Sequence, residues 1–365
     1  MKINLNLIRI SSNILLVLIS SIIAIFLVET TLFVLKDSDD SSNRLAYLEE
    51  LRQINPNTTL AIYPTNFLFN DTDIRPIAGL PHRLSVLCEE DGKMGSFNSD
   101  RHGFNNPDEV WSIENRKQIV FIGDSFTQGA CTYPGEDFVN FYRKSNPELN
   151  VINLGMGGSG PLIELAILKE ISNLKKIDTV YWGFFEGNDF EELNREIHDS
   201  VYKKYLDDDS FLQEIFLKQD EVNELLNKKI KNSTEGLLNY LKKIPIIGLR
   251  NIRVLLDRYS YTFNKKEIEA IPEEFIRILS KVSSLTESQN FNVHFLYFPS
   301  YEKIKSNSPA KQKLKKEIQK EVQKLGFNFV DIENLIFKKS ATFEDKFTNK
   351  LHYNAKTYSD IAEIL

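Results

Sequence analysis

The sequence is poor in cysteine: Cys88 and Cys131 are the only two in 365 residues. That excludes the paired Cys/His spacing of a zinc module. It leaves either one bridge in an oxidising compartment or two separate thiols, and spacing alone does not decide between them. A net positive charge is also lacking. The net charge is −6 at pH 7 and there is no Lys/Arg-rich arm, which argues against nucleic acid as a partner. No internal repeat appears, and no residue pattern calls for a metal or another cofactor. Hydrophobic residues make up 42% of the chain, enough for a sizeable core. The length suits one large α/β domain with extensions.

Charge is absent altogether from Ile10 to Val28, a run of 19 residues rich in Ile, Leu and Val. As a helix it spans about 28 Å, close to the hydrocarbon thickness of a bilayer. Lys2 and Arg9 precede it, while Glu29, Asp37, Asp39 and Asp40 follow. Residues 1–36 are therefore expected to form a single-pass anchor with a cytoplasmic N-terminus and everything beyond it periplasmic or otherwise extracytoplasmic. A cleaved signal peptide is the competing reading, but the run is long for one and no A-x-A-like site follows it.

Residues 37–117 are expected to be a stalk and an irregular extension. The stalk is polar, with partial helix through Leu45–Ile54. Turn signals such as Arg75-Pro-Ile-Ala-Gly-Leu-Pro81 and Asp100-Arg-His-Gly-Phe-Asn-Asn-Pro107 then dominate. From residue 118 the pattern sharpens. Apolar runs at Gln118–Ile122, Asn150–Leu154, Asp178–Phe185, Val293–Phe298 and Phe327–Ile332 alternate with helical stretches. Such runs predict about five parallel strands buried on both faces. Pro161 fits the first turn of one intervening helix. Residues 190–275 interrupt the alternation as a charged helical insertion. Within it Lys228–Arg258 holds eight Lys/Arg against Glu235 and Asp257, a solvated decoration or else a lid or lipid- or glycan-facing surface.

Four segments carry candidate chemistry. Ser125 follows the first run directly, in Gly123-Asp-Ser-Phe126, where a hydroxyl is exposed at a strand end and the following backbone can offer N–H groups. Asp124 suits a buried turn-former. Asn153-Leu-Gly-Met-Gly-Gly158 follows the second run, Gly187-Asn188-Asp189 ends the third, and His352-Tyr-Asn-Ala355 opens a terminal helix. In an open α/β sheet, strand C-termini are where a site forms. Each piece alone is an ordinary turn or cap. His82, His102, His198 and His294 have no comparable placement.

In this order the four segments resemble the SGNH/GDSL hydrolase superfamily, with Ser125, Gly158, Asn188 and His352 at its characteristic positions. The resemblance covers residues 118–189 and 290–365. It implies a flavodoxin-like three-layer α/β/α sandwich over residues 118–365 and a serine esterase. Ser125 would be the nucleophile and His352 its base. The N–H groups of Ser125 and Gly158 and the side chain of Asn188 would form the oxyanion hole. In one respect the chain departs from the family, which has Asp three residues before the His, where this sequence has Asn349. An Asn supplies no charge for the imidazolium. The His-orienting group is then a backbone carbonyl, Asn349 itself, or a displaced acid such as Asp345 or Glu344, or else the enzyme is slow. With the anchor, the resemblance implies acyl esters, foremost acetyl, on cell-surface or exported polysaccharide. Glycan O-acyltransfer and lipid or lysophospholipid hydrolysis are alternatives, and a non-catalytic glycan-binding protein is the reading from another class.

Overall fold

A computed structural model describes residues 16, 20–31, 40–66, 69, 72–90, 92–241, 270–306, 308–338, 342–348 and 351–365. The chain forms two compact units, Met1–Asp39 with Ile230–Glu267, and Asp40–Lys229 with Ile268–Leu365. In the first unit the described residues are helical, and Thr30 Oγ1 donates to Phe26 O at 2.7 Å. Ile22, Ile23, Phe26 and Leu27 are exposed there. Residues 10–15 and 17–19 of the apolar run lie outside the described residues. Among the described residues no helix is long and apolar enough to cross a membrane.

The second unit is built on a parallel sheet of β4 (Gln118–Gly123), β5 (Asn150–Gly155), β6 (Thr179–Phe185), β7 (Asn292–Phe298) and β8 (Asn328–Asp331), in the order β5-β4-β6-β7-β8. Each apolar run becomes one strand of this sheet. Helices cover both faces, which is why the runs do not alternate. Neighbouring residues on β6 show the division. Tyr181 stacks on Phe121 and meets Tyr142 of the helix Phe138–Ser145. Trp182 faces the other way, towards Phe275 of the helix Glu273–Gln289. Pro161 opens the helix Pro161–Leu174 at its first position. Between β6 and β7 lie the helices Asp189–Glu196, Tyr202–Asp207 and Gln219–Leu241, and residues 242–269 of the expected insertion lie outside the described residues.

The 61–117 stretch is more ordered than its composition suggested. β1 (Thr59–Leu60) pairs with β2 (Leu84–Glu90), which forms a hairpin with β3 (Lys93–Asn98). The stretch lacks a period of two because Val86, Leu87 and Phe97 are all buried on this small sheet, and a bulge between Val86 and Glu89 shifts the register. Asn106 then joins the extension to the main sheet. Its Nδ2 donates to Asn153 O at 2.8 Å, and its Oδ1 accepts from Asn153 N at 2.7 Å. The extension is thus bonded to β5, next to β4, which Ser125 follows.

At the C-terminal edge, the turn after β4 lies on glycine. A Cβ on Gly155 would come within 2.5 Å of Thr127 C and closer still to Gln128 N. These are backbone atoms, so the turn would have to move. Gly155→Ala is therefore expected to lower stability by about 1–3 kcal/mol or more through overpacking, measured as a shift in the urea midpoint. A midpoint equal to wild type would mean that the turn does not depend on this close approach.

Candidate active site

Ser125 begins a short helix, Ser125–Gln128, just beyond β4. Asp124 caps it, its carboxylate accepting from Phe126 N at 2.9 Å. Burial pushes the Asp124 carboxyl up to about 6. β4 lies between β5 and β6, with Gly123 opposite Gly155 and Ile122 opposite Trp182. The turns after all three strands therefore emerge along one edge of the sheet. Gly158 follows β5 with φ +75°, a backbone that favours glycine. Asn188 follows β6, and its side chain makes no cap bond to the helix it precedes. Among the described residues its Oδ1 is buried and unpaired. Glu196 holds the Gly158 loop from behind, accepting from Gly160 N at 2.5 Å and Leu162 N at 3.0 Å at the start of the 161–174 helix.

His352 reaches this edge from the far end of the chain. It lies not in the terminal helix but on β10 (His352–Tyr353), which pairs antiparallel with β9 (Phe347–Thr348). The helix Ala355–Ile364 starts after Asn354, whose side chain accepts from Thr357 N. Tyr353 fixes the strand, since its hydroxyl donates to Pro299 O at 2.7 Å and its ring packs on Phe126 and Phe298. His352 Nε2 then lies 3.0 Å from Ser125 Oγ.

The other ring nitrogen, Nδ1, lies 2.6 Å from Glu90 Oε1. Glu90 ends β2 and is buried at 3% exposure. A carboxylate only accepts, so this contact puts the ring proton on Nδ1 and leaves the Nε2 lone pair facing the serine hydroxyl. Neither Asp345 nor Glu344 meets Nδ1: both are exposed, and Asp345 contributes its backbone carbonyl to Asn354 Nδ2. Asn349 lies outside the described residues. Glu90 was missed because nothing in its local sequence marks it, and 262 positions separate it from His352.

The two cysteines are joined. Cys88, two residues before Glu90, is bonded to Cys131 in the loop after the Ser125 helix, with Cα atoms 4.9 Å apart. For bridged residues 43 apart in sequence, such a bond contributes about 2–4 kcal/mol. His102 lies elsewhere. It packs against Trp111 and Phe216 beside a cavity of about 550 Å³ that Gln118 also lines, at the opposite ends of the strands from Ser125. His294 meets Asn328 Nδ2 at 2.9 Å.

The GDSL-like lipase/acylhydrolase family matches residues 119–365. The chain belongs to that family. This GDSL-family chain is accordingly an ester-hydrolysing enzyme. Similar solved structures include a lipolytic G-D-S-L protein from Veillonella parvula DSM 2008, with 12% identity, TM-score 0.38, and coverage of 68% of this chain and 94% of that one. A lipase/acylhydrolase from Enterococcus faecalis matches with 13% identity, TM-score 0.37, and coverage of 68% and 92%. An acetylxylan esterase from Geobacillus stearothermophilus matches with 14% identity, TM-score 0.36, and coverage of 69% and 93%. No curated protein matches the sequence.

Beneath the GDSL turn lies Glu164, whose Oε2 accepts from Trp182 Nε1 at 2.7 Å. Burial holds its carboxyl well above the ordinary 4.5, and the negative charges of Asp124 and Glu196 add to the shift. Because the folded value lies above the unfolded one, the stability from neutral Glu164 is complete below about pH 4.5 and is lost as pH rises through the raised value. The melting temperature is expected to fall as pH rises above about 4.5, and Glu164→Gln should flatten part of that fall. Parallel profiles for the two proteins would contradict this.

Proposed function

We propose that this GDSL enzyme is a serine esterase whose catalytic residues are Ser125, His352 and Glu90. The observation that carries the reading is the unbroken chain from Ser125 Oγ to His352 Nε2 and from His352 Nδ1 to Glu90 Oε1. Ser125 Oγ attacks the ester carbonyl carbon as its proton passes to Nε2. The carbonyl oxygen becomes an oxyanion, held by Ser125 N, Gly158 N and the Asn188 side chain. Removing one such donor costs about 2.7–4 kcal/mol of transition-state stabilisation. The C–O bond to the leaving alcohol then breaks, and that alcohol takes the proton from Nε2. Water repeats the sequence on the acyl-serine, releasing the carboxylic acid and restoring the hydroxyl. Glu90 stabilises the imidazolium formed in each half-reaction and holds the productive tautomer.

The proposed substrate is an acyl ester, foremost acetyl, on a cell-surface or exported polysaccharide, and the proposed location is outside the cytoplasm. Two observations support the location. The uncharged run Ile10–Val28 has the length and flanking charges of an anchor, and the Cys88–Cys131 bridge suits an oxidising compartment.

A serine-reactive fluorophosphonate is expected to label the wild type, with the modification on Ser125, and to leave Ser125→Ala unlabelled. Hydrolysis of an aryl acetate should fall by about 10²–10⁴ in kcat for Glu90→Gln, with KM little changed. Labelling that persists in Ser125→Ala would overturn the nucleophile assignment. A fully active Glu90→Gln would overturn the role of the acid. Adding an acetylated or free glycan separates hydrolysis from acyl transfer, since a transferase turns over slowly to water until an acceptor hydroxyl is present.

A further inference from the structure

The acid in this site sits on a separate hairpin, at its tip. Glu90 is the last residue of β2, and β3 begins at Lys93. Two features press that tip against the nucleophile's loop. The first is the disulfide from Cys88 to Cys131. The second is Gly95 on β3, where a Cβ would come 2.7 Å from Cys131 Cα, 2.9 Å from Cys131 C and 2.9 Å from Thr132 O. No side chain fits between strand and loop there. Cys131 itself adopts φ +60°, a conformation that costs a non-glycine residue and is held only where its surroundings fix it.

Glu90 has a physical reason to leave this position if released. Among the described residues its Oε2 is buried without a partner, so its hydrogen bond to His352 is set against the loss of water around the whole carboxylate. A hairpin tip free to lift by a few ångströms would rehydrate the carboxylate and break the 2.6 Å contact. Cys131 Sγ lies 3.6 Å from His352 Nδ1, so the bridge itself packs against the imidazole that the acid serves.

We propose that the Cys88–Cys131 disulfide and Gly95 are positioning elements for Glu90: they dock the β2–β3 hairpin on the 129–132 loop, and the acid meets His352 only while the bridge is closed. This rests on the catalytic reading above. It adds that the enzyme's third catalytic group is under redox control. A dithiol reductant is oxidised to its cyclic disulfide as Cys88 and Cys131 each gain one electron and one proton.

The test measures aryl acetate hydrolysis by the full chain, wild type and Glu90→Gln, before and after dithiothreitol. EDTA is present because freed Cys88 and Cys131 beside Glu90 form a set of potential metal ligands. Reduction is expected to lower wild-type kcat by at least about tenfold with KM within about twofold, and to change Glu90→Gln by less than about twofold, because both perturbations remove the same interaction. Reoxidation should restore the wild-type kcat. Gly95→Ala, with the bridge intact, should reproduce the kcat loss.

Reduced wild type at full kcat would overturn the proposal. So would an equal further loss in reduced Glu90→Gln, which would mean that the bridge only supports the fold. Failure of the catalytic reading is seen separately, before any reductant is added, as an oxidised Glu90→Gln that matches wild type.

Discussion

The proposed mechanism depends on one short contact, the 2.6 Å approach of Glu90 to His352 Nδ1. An imidazole has two nitrogens, and only the bond at one decides whether the other can accept a proton. With Glu90 in place the serine hydroxyl faces a lone pair. Without it, the tautomer is free to invert and Nε2 would present a hydrogen to the nucleophile. The sheet brings Ser125, Gly158 and Asn188 to one edge, and the aromatic packing of Tyr353 on Phe126 and Phe298 fixes His352 there. The acid arrives by a different route, from a hairpin that is not part of the parallel sheet.

That route changes the meaning of the N-terminal extension. Asn106 bonds to both backbone groups of Asn153, Asn105 Nδ2 donates to Gln128 O at 2.9 Å, and Glu90 meets the histidine. Each contact touches a segment that bears on Ser125 or His352. In the proposed mechanism the extension completes the site, so its loss would be felt as lost chemistry as well as lost stability. Buried, partly unsatisfied carboxylates such as Glu90 lower stability, and the disulfide offsets some of that cost.

The parallel sheet was legible in the sequence because strands buried on both faces leave continuous apolar runs, and helices between them leave another period. Ser125 and His352 stood out because each follows or precedes such a landmark in a recognisable block. Glu90 had neither advantage. Its hairpin is buried without alternation, broken by a bulge, and ordered by contacts far away in sequence. The family's usual acid position, occupied by Asn349, lies far in sequence from Glu90. Spacing also left the cysteines undecided, since a bridge across 43 residues depends on tertiary distance alone. Long-range pairings of this kind leave no local trace.

The most direct measurement is proton NMR of the histidine ring N–H region, with selectively ¹⁵N-labelled histidine. A short charge-assisted bond between Nδ1 and a carboxylate gives a strongly deshielded proton signal. The account predicts one such signal from His352 that persists in Ser125→Ala and vanishes in Glu90→Gln. A His352 signal unaffected by Glu90→Gln, or none in the wild type, would contradict it.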